Sequence, residues 1–100
     1  MFIRTTSVKI EPSQIQAFRA ESEAVRKKLK EVPGISHVFS AITDEGDVLA
    51  IGIWESEEAV KAANEKIQAV WGSLSSYLRT APTVTAYPHV EQLAGPAHEM

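Results

Sequence analysis

The sequence predicts an α+β domain of the ferredoxin-like β-α-β-β-α-β plan, with a four-stranded antiparallel sheet and both helices on one face, and three observations carry that prediction. Stretches rich in β-branched and aromatic residues open the chain, occupy its middle and recur near Thr83 to Tyr87. Two stretches of helical periodicity separate them, each long enough for a crossover. The middle stretch is divided by one short polar turn, so its two strands form a hairpin. One hundred residues fill a single core and leave no room for a second.

The elements follow in order. Phe2 to Ile10 alternates as a strand, with Phe2, Arg4, Thr6, Val8 and Ile10 on one face and Ile3, Thr5, Ser7 and Lys9 on the other. A helix is expected after Pro12, with Ser13 and Gln16 spaced to satisfy each other's free backbone N–H groups at its start. Ile15, Phe18, Val25, Leu29 and Val32 then mark its apolar side, and Pro33 with Gly34 ends it. The second strand covers Ile35 to Thr43, with Ile35, His37, Phe39 and Ala41 alternating against Ser36, Val38, Ser40 and Ile42. After the turn at Thr43 to Asp47, where Gly46 can take positive φ, the third strand returns from Val48 to Trp54. Ser56 is a good N-cap, and Glu57 and Glu58 meet the positive end of the helix dipole. The second helix carries Val60, Ala63, Ile67, Val70, Trp71, Leu74 and Leu78 on one face, and a kink or a split into two helices is expected at Asn64 or Gly72. Residues 1–92 form the expected domain and 93–100 a C-terminal tail that holds His98.

Composition narrows the function. With 44% hydrophobic and 23% charged residues the chain is not of disordered type, and a net charge of −3 with scattered Lys and Arg gives no stripe for nucleic acid. The absence of cysteine removes disulfides, thiolate zinc sites and cysteine nucleophiles, and the three histidines have no short ligand spacing, so no metal and no cofactor is expected. The first ten residues lack the apolar core of a signal peptide, and no run approaches the ~20 apolar residues of a membrane span. A cytoplasmic protein that contacts no membrane is the resulting expectation.

Both faces of the hairpin are apolar, since Leu49, Ile51 and Ile53 oppose Val48, Ala50, Gly52 and Trp54 across the third strand. Helices cover only one face of such a sheet. An uncovered patch of this kind exceeds what soluble monomers usually expose, which predicts a homodimer through the sheet.

The pattern resembles the antibiotic biosynthesis monooxygenase-like group of the dimeric α/β-barrel superfamily. The resemblance spans residues 1 to about 92 and rests on "IEPSQIQAF", "VPGI", "IGIWESEEAV" and "PTVTAYPHV". It implies two protomers packed sheet to sheet, and a pocket between sheet and helices. Oxygenases of the group line that pocket with an asparagine of the first strand, a tryptophan ending the third, and a histidine or tyrosine of the second helical region. Trp54 matches the tryptophan; the first strand offers Thr5, Thr6 and Ser7 but no asparagine, and the second helical region has no histidine. Haem degradation is therefore not implied, whereas cofactor-free oxidation of an aromatic molecule is compatible.

Trp54 is thus the candidate wall for an apolar or aromatic ligand, or else a core residue beneath the second helix. Tyr77, Thr6 and His37 are the candidate polar contacts, His37 being also suited to a dimer interface. Arg4 pairs either with a carboxylate across the sheet or with an anionic substrate. The alternative for the whole chain is a non-catalytic dimeric module whose pocket is filled by its own side chains.

Overall fold

The computed structural model describes residues 1–96, so His98 and the end of the expected tail lie outside the described residues. Four strands, β1 (Phe2–Lys9), β2 (Ile35–Ile42), β3 (Asp47–Trp54) and β4 (Thr83–Tyr87), form one antiparallel sheet in the order β2-β3-β1-β4. Helices α1 (Ile15–Ala20) and α2 (Ser22–Leu29) join β1 to β2, and α3 (Glu57–Ser73) joins β3 to β4. The predicted α+β, ferredoxin-like plan is the observed one.

The hairpin turn is fixed by its own polar groups. Gly46 N–H donates to the Thr43 carbonyl at 3.0 Å and Asp47 N–H to Thr43 Oγ1 at 3.0 Å, while Gly46 takes φ +92°. The Gly46 carbonyl then accepts from Ile10 N–H at 2.9 Å, tying the turn to the end of the first strand. Ser56 caps α3 as its residue type demands, its Oγ accepting from Ala59 N–H at 3.2 Å.

Two local expectations are corrected, and a third, the split of the second helix, is met after Gly72 and not at Asn64. Residues Pro12–Gln14 form a 3-10 turn with Glu11 at the N-cap position, and neither this turn nor α1 has a side-chain cap. The Ser13–Gln16 exchange is absent because Pro12 already sits at the first helical position, which moves the start ahead of Ser13. The first helix is also not continuous. At Glu21 the backbone tightens to an i→i+3 bond from Glu21 N–H to Phe18 carbonyl, and α2 restarts so that Phe18 and Val25 both reach the same part of the core. In α3, Asn64 is carried without interruption; the helix ends at Ser73 and a 3-10 turn, Ser75–Tyr77, follows Gly72 and Leu74.

A further correction sets the faces of β2. The pairing shifts between Ile35 and His37, so Ile35 packs with the helix-side core while His37, Phe39 and Ala41 fall on the outer face. The outer face is then read in rows: His37, Ile53, Ile3, Tyr87; Phe39, Ile51, Thr5, Thr85; Ala41, Leu49, Ser7, Thr83. Its apolar groups gather on β2 and β3, with Phe39 55% and Leu49 40% exposed.

Beneath the helices the core is in two parts. Phe2, Val32, Trp54, Val60 and Ala63 form one cluster at one end of the sheet. Val8, Ile10, Phe18, Val48 and Leu74 form the other, with Ile10 fully buried. Between the two lies a cleft.

Candidate functional site: a cleft between two core clusters

The helix-facing residues of β3 are Val48, Ala50, Gly52 and Trp54, large at both ends and small in the middle. Across the sheet the middle rows are more polar than the end rows, though not uniformly small. The end rows pair Phe2 with Trp54 and Val8 with Val48 and Ile42, whereas the middle rows set Arg4 beside Gly52 and Val38, and Thr6 beside Ala50 and Ser40. The helices do not fill the middle: Ile67 packs against the first cluster, Val25 and Trp71 against the second. A cleft of about 1310 Å³ remains between sheet and helices, open to solvent and therefore larger than an enclosed site for a small ligand.

Trp54 is 3% exposed and packs among Phe2, Val32, Val60 and Ala63, so it is a core residue as well as a cleft wall. Its ring folds back over Gly52, where an added Cβ would stand 2.8 Å from Trp54 Nε1. Glycine at 52 is what lets the indole lie along the strand with its N–H over the middle of the sheet. Among the described residues the indole N–H and the Thr6 hydroxyl make no hydrogen bond, and no polar side-chain atom is buried without a partner. Both polar groups therefore open on the cleft. Arg4, directly across from Gly52 and partly buried, enters none of the ion pairs of the described residues. The expected carboxylate across the sheet is not there, because its cross-strand neighbours are Gly52 and Ala86.

The four residues singled out in the sequence are not all brought together. Thr6 and Trp54 line the cleft from adjoining strands. His37 borders it as part of edge strand β2, yet its ring stacks parallel to Phe39 with centroids 6.1 Å apart, on the outer face. Tyr77 stands apart from the lining residues: it meets Phe18 edge to face at 5.7 Å, and its hydroxyl donates to Glu21 Oε1 at 3.3 Å. Partial burial, then the neighbouring Glu21 carboxylate, raises the Tyr77 phenol above its usual value near 10. Sequence reading missed Ala50, Gly52 and Ser40 as the residues that make the space. The signal was present as Val48-Ala50-Gly52-Trp54, every second residue of one strand.

Among the described residues no group of three His, Cys, Asp or Glu could hold a metal ion. No helix among them is long and apolar enough to cross a membrane. Chemically, the cleft offers the indoles of Trp54 and Trp71, the hydroxyls of Thr6, Ser40 and other serines and threonines of its lining, and the guanidiniums of Arg4 and Arg19, which enter no ion pair among the described residues. That set suits holding a flat molecule by its faces and one polar edge.

Comparison with known proteins agrees with the fold. A monooxygenase of Streptomyces coelicolor from the gene ActVA-Orf6, solved in complex with nanaomycin D, superposes with a TM-score of 0.75 at 20% identity, covering 95% of this chain and 92% of that one. An antibiotic biosynthesis monooxygenase gives 0.72 at 18% identity, covering 91% of this chain and 100% of that one. A conserved protein of Methanosarcina mazei gives 0.73 at 13% identity, covering 88% and 92%. At these identities the likeness shows the fold alone. No curated protein sequence matches the chain. The antibiotic biosynthesis monooxygenase family profile matches residues 1–81, most of the strands and all of the helices that build the cleft, and the chain belongs to that family.

Proposed function

We propose that this protein is a cytoplasmic homodimer whose domain, residues 1–92, binds an apolar or aromatic small molecule in the cleft and oxidises it as a monooxygenase without a bound cofactor. The observation that carries this reading is the open cleft beside Trp54, lined by Thr6, Arg4 and Ser40 as well as by aromatic rings. A non-catalytic module of the same fold would fill that space with its own side chains; here Gly52 and Ala50 keep it clear. The S. coelicolor monooxygenase of similar fold holds nanaomycin D, a precedent for a flat ligand on this scaffold.

In a cofactor-free oxidation the substrate supplies every electron. For an activated methylene, one dioxygen is consumed as both C–H bonds break and a carbonyl forms. One oxygen atom stays on carbon and the other leaves as water with the two hydrogens, so that carbon loses four electrons and dioxygen gains them. The protein's part is to exclude water, hold the ring against Trp54, and stabilise the oxyanion that forms when the substrate gives up its proton. Thr6 and the Trp54 N–H are the groups placed to do so.

Tryptophan fluorescence titrated with quinones, anthrones and haem tests the binding step, and Trp54→Phe separates its signal from Trp71. Saturable quenching by the first two is expected; silence from all three would remove the reading. Oxygen uptake with an anthrone then tests the reaction.

The dimer rests on the outer sheet face, where Phe39, Leu49, Ile51 and Ile53 gather. Burying apolar surface there contributes about 25 cal/mol per Å². Size-exclusion chromatography with light scattering is expected to give twice the chain mass, with Phe39→Asp shifting it to the monomer; a monomeric parent at micromolar concentration would sink this part.

A further inference from the structure

The charge around the cleft runs against the charge of the chain. The protein has 13 Asp and Glu against 10 Lys and Arg, yet four of its basic residues border the cleft and one of its acidic ones does. Arg19, Arg26 and Lys30 stand on α1, α2 and the end of α2, at the rim, where Arg26 is paired with Glu23 at 2.6 Å. Arg4 is different in kind. It rises from the floor of the cleft, partly buried, with small residues on both flanking strands and no carboxylate partner among the described residues. A guanidinium held in a concave, partly desolvated place without a counter-charge is a standing demand for an anion, and a rim of like charge raises the local anion concentration.

We infer that the ligand of this cleft is an aromatic acid, its ring against Trp54 and its carboxylate on Arg4. The geometry supports a carboxylate over a neutral polar group in two ways. The guanidinium is a planar fork that matches two carboxylate oxygens at once. The Trp54 N–H lies over Gly52, the position paired with Arg4 across the strand boundary, about 4.8 Å away along the sheet, so a third donor stands beside the fork. Thr6 is two residues on, on the same face of β1, and its hydroxyl opens on the same space. Arg4 is therefore the residue that sets specificity by charge, while the aromatic lining of the cleft, Trp71 with the edge of Trp54, supplies affinity for any flat ring. This inference rests on the cleft being a binding site for small aromatic molecules, as proposed above.

The test compares a ligand with its uncharged twin. Tryptophan quenching by anthraquinone-2-carboxylate and by anthraquinone-2-carboxamide is measured at low salt for the parent, Arg4→Gln and Arg4→Lys. The parent is expected to bind the acid about 10-fold or more tightly than the amide. Arg4→Gln is expected to bring that ratio to about one with the far-ultraviolet circular dichroism and the unfolding midpoint of the parent, which separates loss of the charge from loss of the fold. Arg4→Lys, which keeps the charge and loses the fork, is expected to fall between. Equal binding of acid and amide by the parent, or a ratio that survives Arg4→Gln, overturns the assignment but leaves an aromatic binding site standing. Failure of both molecules and of the neutral anthraquinone to bind removes the site itself.

Discussion

On the helix-covered face of the sheet, the end rows and the middle rows share the same strands, the same helices above them and the same hydrogen-bonded ladder, and they differ only in side-chain size and polarity. At the ends, Phe2 with Trp54 and Val8 with Val48 close against the helices and make the core. In the middle, Gly52, Ala50, Ser40 and Thr6 fail to reach the helices, and a cleft is left. Core packing and open space are thus assigned to the ends and the middle of the same strands, a few ångströms apart. The two end clusters act as pillars that hold the helices off the middle of the sheet.

Removing a pillar should have the largest effect. Trp54→Ala deletes the largest side chain of the first cluster and is expected to cost about 3–5 kcal/mol in unfolding free energy, read from chemical denaturation. If it costs under about 1 kcal/mol, Trp54 is not holding the cluster. Next is the contact between pillar and cleft: Gly52→Ala puts a methyl against Trp54 Nε1 and is expected to cost about 1–3 kcal/mol and to change the Trp54 emission, while Ala50→Gly, without that contact, leaves the emission alone. The third prediction reverses the logic. Ala50→Leu fills the middle row, so stability should change by no more than about 1 kcal/mol while affinity for any aromatic ligand falls about 10-fold or more. A large loss of stability with binding retained would mean that the middle rows are core after all.

The smallest effect lies at the edge of the second cluster. The Tyr77 phenol has its pKa raised in the folded state, so its contribution to stability is fully present below the unfolded value near 10 and is lost as pH rises through the folded value. Stability measured across that alkaline window should decline less in Tyr77→Phe than in the parent. Parallel curves would show that the bond to Glu21 carries no weight.

How much of this could be read from the chain depends on the range of the interactions involved. Strand and helix order followed from local periodicity, and Ser56 and Gly46 marked a helix start and a turn because their chemistry acts within four residues. Ser13 misled for the opposite reason: a plausible cap was pre-empted by a turn that starts one residue earlier, at Pro12. His37 was placed near the site by its strand, but the register shift after Ile35 turned its ring to the outer face, and such a shift leaves no mark on alternation. Tyr77 was grouped with the cleft by its helix and went instead to Phe18 and Glu21, fifty-six residues from Glu21 along the chain.

By itself the sequence determined the element order, the apolar hairpin and the identity of the tryptophan that ends the third strand, since each of these is written in neighbouring residues. Only the tertiary structure decided that Val48, Ala50, Gly52 and Trp54 face the helices, that Arg4 stands across from Gly52 with no acid to meet it among the described residues, and that the space above them stays open. The physical reason is that a cleft is made by what does not touch. Absence of contact is a property of three strands and the helix layer at once, and no short segment of the chain encodes it.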